Sequence, residues 1–137
     1  MLRLCDEHVQ IRAVIDRITA IIKEPAPSDW GELAPLRLAL SRSIKSHLEN
    51  EDRFMGKAMW SHAGVPSDLL GKWALDRQAI RVAYSEHLRT WSLPAIGKHW
   101  DAYRKAFREL VKNAEALMRL EEAEIYRFAE KLSQSPR

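Results

Sequence analysis

His47 and Glu51 stand four residues apart in the run Ser46-His47-Leu48-Glu49-Asn50-Glu51-Asp52-Arg53-Phe54-Met55. On a helix that spacing puts an imidazole and a carboxylate on one face. The face is apolar: Leu33, Leu40, His47 and Phe54 recur every seven residues, and Ile44, Glu51 and Ala58 continue the stripe. Polar, ionisable groups in such a seam are costly unless something compensates them. A metal ion would do so, and so would a buried hydrogen-bond network. Which of the two operates decides what the chain is for.

The elements that must position this pair read as helices throughout, with no convincing strand alternation. Leu4, His8, Ile11, Ile15, Ile18 and Ile22 follow three-four spacing and predict a helix over about residues 2–23. The prolines of Glu24-Pro25-Ala26-Pro27 stop it. Ser28 or Asp29 is the expected cap of a second helix reaching about His62, with Pro35 near its start. Gly64-Val65-Pro66 ends that helix, and Ser67 opens a third that runs to about Trp91. Beyond a turn at 92–97, the fourth carries Trp100, Tyr103, Phe107, Leu110, Ala114, Leu117, Glu121, Ile125, Phe128 and Leu132. Four helices with short connections predict an all-α, antiparallel up-down-up-down four-helix bundle.

The 137 residues are expected to form one domain spanning 1–137, long enough for a core without staples. The lone Cys5 excludes an intrachain disulfide and points to a reducing, cytoplasmic setting. No apolar run approaches the roughly 20 residues needed to cross a bilayer, so no membrane partner is expected. A net charge of +3 with interleaved acids and bases, as in Asp101-Ala102-Tyr103-Arg104-Lys105, argues against nucleic acid. A protein partner and a homodimer are left open.

Counting residues along such a bundle brings other groups to the same level. From the end where the first helix begins, His8 lies about six residues down, Glu51 about eleven and His47 about fifteen. Glu122 lies about ten down and Met118 about fourteen, so His47-x-x-x-Glu51 and Met118-x-x-x-Glu122 run in parallel. On the third helix Asp76 and Arg77 share this level, whereas His87 falls roughly 15 Å below it.

At these residues the chain resembles the hemerythrin-like, or HHE cation-binding, family. That family is a four-helix bundle around a non-haem di-iron centre. It has an early His on helix one, His-x-x-x-Glu on helix two, a His on helix three, and His-x-x-x-Glu or Asp on helix four. The likeness covers nearly the whole chain. It implies metal-ligand roles for His8, His47, Glu51 and Glu122. Two positions depart from it: Met118 replaces the fourth-helix His, and Asp76 or Arg77 stands at the level of the third-helix His. Thioether sulfur is a poor ligand for hard iron ions.

The resemblance therefore implies a reduced or vestigial cation site serving metal- or oxygen-related binding or sensing. It points away from a di-iron oxidase or peroxidase. If Asp76 faces inward, the set His8, His47, Glu51, Asp76 and Glu122 suits one Fe, Mn or Zn ion. If Arg77 faces inward, its guanidinium neutralises the carboxylates without metal. The alternative function is then a metal-free helical-bundle interaction protein. Periodicity does not choose between the two, and iron or no cofactor are both left open.

Overall fold

The computed structural model describes residues 2–27, 30–56 and 67–134, and every regular element among them is helical. Helix α1 spans Leu2–Ile22. Helix α2 spans Trp30–Glu51 and passes directly into a π turn at Asp52–Gly56. Helix α3 spans Ser67–Thr90. A short helix α4, Leu93–Lys98, precedes α5, Trp100–Leu120. A second π turn at Glu121–Ile125 joins α5 to α6, Tyr126–Gln134. Helix α1 packs along α2, α3 along α5, and α1 also meets α5, giving a bundle-like arrangement.

The α1 stripe explains its placement, for Leu4, His8, Ile11, Ile15, Ile18 and Ile22 are all buried. After Ile22 the chain turns, and α5 and the residue that opens it satisfy the freed carbonyls. Arg104 donates to the Ile22 and Lys23 carbonyls at 2.5 and 3.3 Å, and Trp100 Nε1 donates to the Glu24 carbonyl at 2.8 Å. These bonds replace the partners that the last turn of a helix lacks. The expected cap at Ser28 or Asp29 and the expected turn at 63–66 lie outside the described residues.

Two details differ from the sequence expectation. The segment 92–97 is largely helix α4, nucleated by Ser92, whose Oγ accepts from the Ala95 amide, with Pro94 in its first turn. The stripe of α2 does not continue to Phe54, which is exposed, while Met55 is buried. The π turn accounts for this: it adds a residue to the turn and carries the seam from position 54 to 55.

The apolar interior forms two clusters. One contains Ile11, Ile15, Ile18, Leu33, Leu40, Tyr103 and Phe107. The other contains Leu4, Met55, Leu70, Trp73, Leu117, Ile125 and Tyr126. The buried polar residues His8, His47, Asn50, Glu51 and Glu121 fall between them along the chain. Among the described residues no helix is long and apolar enough to cross a membrane.

Ile18→Ala should test the larger cluster. The side chain is fully buried, so its truncation should cost about 2–5 kcal/mol. The melting temperature should fall by roughly 10 °C. An unchanged thermal midpoint by circular dichroism would contradict this packing.

Candidate metal centre

His8 on α1, His47 and Glu51 on α2, and Glu121 at the start of the second π turn converge in the interior. One donor atom from each lies within 4.8 Å of all the others. His8 Nε2 is 3.0 Å from His47 Nε2 and 2.9 Å from Glu121 Oε1. His47 Nε2 is 3.2 Å from Glu51 Oε2. The Tyr126 hydroxyl enters from α6 and donates to Glu51 Oε2 at 2.5 Å. It also lies 3.1 Å from His8 Nε2 and 3.3 Å from both His47 Nε2 and Glu121 Oε1.

The outward nitrogens of both imidazoles are held by carboxylates. His8 Nδ1 donates to Glu122 Oε2 at 2.6 Å, and His47 Nδ1 donates to Glu7 Oε1 at 2.8 Å. Carboxylates only accept, so these contacts place the ring hydrogen on Nδ1 in each case. Glu122 is in turn gripped by Arg12 at 2.7 and 3.2 Å, and the same guanidinium holds Glu115. Glu7 takes a second bond, from Asn50 Nδ2 at 2.5 Å. In its neutral form an imidazole with its hydrogen on Nδ1 would turn its Nε2 lone pair inward. Metal-ligating histidines are usually held from behind by a carboxylate, carbonyl or water in this way.

The electrostatics follow from that arrangement. With both rings neutral, two imidazole lone pairs and two carboxylates would face one another where the phenol supplies a single hydrogen. Without a cation, a proton must fill the deficit. Burial alone would lower the His47 pKa, but the Glu121, Glu51 and Glu7 carboxylates outweigh it and raise the ring to about 10. Burial likewise pushes Glu51 above the ordinary carboxylate range. Burial would raise Glu121, but hydrogen bonds with His47, His8, Glu51 and Trp73 outweigh it and hold the carboxyl well below that range. Burial beside Glu121 and Glu51 keeps the Tyr126 phenol protonated far beyond its usual range.

The other carboxylate oxygens are also engaged. Trp73 Nε1 donates to Glu121 Oε2 at 2.8 Å, and Arg77 Nε donates to Glu51 Oε1 at 3.0 Å. Arg77 also pairs with Asp52 at 3.0 Å and lies over the Trp73 ring. A cavity of about 60 Å³ adjoins the centre, bounded by His47, Glu51 and Glu121 on one side and by Ile15, Ile44 and Ile80 among its apolar walls.

Of the residues expected from sequence, His8, His47 and Glu51 are brought together. Glu122 is not in the centre; it stands behind His8 as the acceptor of Nδ1–H, and its neighbour Glu121 takes the inner position. Asp76 does not approach: its side chain is 39% exposed and pairs with Lys72 at 2.6 Å. Its neighbour Arg77 faces inward instead. Met118 is core filling in the cluster of Ile11 and Phe107. His87 packs its ring against Tyr103 and Phe107, where burial and nearby Arg37 lower its pKa to about 4. Glu7, Arg12, Trp73 and Tyr126 were not expected at the site. No family model, curated protein or solved structure matches the chain.

The shifts predict the pH profile of metal-free protein. The folded pKa of His47, about 10, lies above its ordinary 6.5. Its stabilisation is complete below about pH 6.5 and is lost as pH rises through about 10. Raised Glu51 acts in the same sense, whereas depressed Glu121 stabilises only above the ordinary carboxylate range. The melting temperature in chelator should therefore be highest between about pH 5 and 6.5 and fall toward pH 10. A flat profile across the alkaline limb would contradict the proton placed on His47.

Proposed function

We propose that this chain is a hemerythrin-like bundle module with a reduced site, holding one non-haem transition cation through His8, His47, Glu51 and Glu121. The carrying observation is the buried convergence of four donor atoms whose two imidazoles are each fixed from behind by a carboxylate. Two nitrogens and two carboxylate oxygens suit iron, manganese or zinc better than magnesium or calcium, which prefer oxygen alone. Iron is the member of that group to which the family likeness points. The adjoining cavity gives a small molecule room beside the ion. On this reading the site serves binding or sensing rather than turnover. The lone Cys5 agrees with a reducing, cytoplasmic setting.

A second reading has its own observation. The ion pair between Arg77 and Glu51 supplies one permanent positive charge where the family likeness implies metal. With a proton on His47, the centre could then stand as a metal-free network in an interaction protein. Such networks are strongly destabilised when one partner is removed.

Elemental analysis and melting curves separate the two. Protein purified without added metal and then supplied with Fe(II), Mn(II) or Zn(II) should retain about one ion per chain. Chelator should lower the melting temperature, because a ligand bound only to the folded state stabilises it by mass action. Glu122→Ala, which removes the support behind His8, should weaken the ion about 10- to 100-fold. If no ion is retained and chelator changes nothing, while Arg77→Met collapses the protein, the metal-free reading holds instead.

A further inference from the structure

We propose that Tyr126 is a fifth ligand of the cation, through its phenolic oxygen, and that it biases the centre toward a hard trivalent ion such as Fe(III). This rests on the metal-binding reading above and deepens it. The oxygen is placed among the donors, at 3.1 and 3.3 Å from the two Nε2 atoms and 2.5 and 3.3 Å from the two carboxylates. Its residue is buried. With both imidazoles neutral it would have four acceptors around it and one hydrogen to give, which satisfies Glu51 and leaves three lone pairs facing the oxygen. An ion at the shared centre turns all five sets of lone pairs toward one positive charge.

The local fold fixes this approach. Tyr126 follows the π turn Glu121–Ile125 directly, so one irregular turn delivers both Glu121 and the phenol to the same point. The ring leans against that of His8, with centroids 5.4 Å apart and planes inclined at 31°. Leu4, Leu117 and Ile125 belong to the apolar cluster around it. On ligation the phenol O–H bond breaks, an oxygen–metal bond forms, and one proton is released to the buffer. No oxidant or reductant is consumed. A phenolate adds a third anionic oxygen to those of Glu51 and Glu121, and hard oxygen donors favour the higher-charged ion.

The test is metal-free protein reconstituted with Fe(III) and separately with Zn(II), in wild type and Tyr126→Phe, with metal content measured on each. Wild type with about one Fe(III) per chain should show a visible phenolate-to-iron charge-transfer band and tyrosinate modes by resonance Raman. Tyr126→Phe should lack both and bind Fe(III) at least about tenfold more weakly, with Zn(II) binding changed much less. Wild type that holds Fe(III) without the band, or a Tyr126→Phe protein that keeps it, would overturn the ligand assignment and leave the four-residue site standing. Wild type that holds neither metal would overturn both.

Discussion

Two imidazole nitrogens and two carboxylates meet in the interior with too few protons among them, and the rest of the structure is arranged around that deficit of positive charge. At these separations like lone pairs repel, and the surrounding apolar clusters screen them poorly. A proton on His47 is one remedy and a cation is the other. On the proposed reading both would occupy the same few ångströms, so they would compete, and metal affinity would be tied to pH. The permanent charge of Arg77 eases Glu51, with which it pairs at 3.0 Å. The supports behind the imidazoles matter equally: without Glu122 and Glu7 either ring could turn its hydrogen inward and close the centre.

The architecture bears the cost of this polar layer in a specific way. Both inner carboxylates sit at π turns, Glu51 immediately before Asp52–Gly56 and Glu121 at the first residue of Glu121–Ile125. Such turns widen the helix locally, and they are frequent at functional sites. On each helix the irregular turn lets a polar residue point inward and then returns the chain to apolar burial, at Met55 on one side and at Ile125 on the other. Arg12 forms the outer brace, tying Glu115 of α5 and Glu122 of the π turn after it to α1 at the level of His8.

Much of this was legible in the sequence, and the misses have physical causes. The buried stripe of α1 and the pairing of His47 with Glu51 follow directly from three-four spacing. Position 121 also belongs to the stripe Leu117, Glu121, Ile125. Matching Met118-x-x-x-Glu122 to a four-residue ligand motif pointed one residue too far. A π turn is not written in hydrophobic periodicity, so the shift from Phe54 to Met55 was hidden as well. The choice between Asp76 and Arg77 could not be read from periodicity, since both border the seam. It is decided by which charge the buried carboxylates attract. Tyr126 carried a faint signal in its place four residues after Glu122, parallel to Met55 after Glu51. Glu7 and Arg12 gave no signal of their own, because their roles depend on partners distant in sequence.

The most direct measurement is calorimetric titration of Zn(II) into metal-free protein at pH 7, repeated in buffers of different ionisation enthalpy. A proton held by His47 at neutral pH must leave when the ion enters. Binding of one ion per chain with release of about one proton or more is therefore expected. Binding without proton release, or no binding, would contradict a centre in which proton and cation compete for the same place.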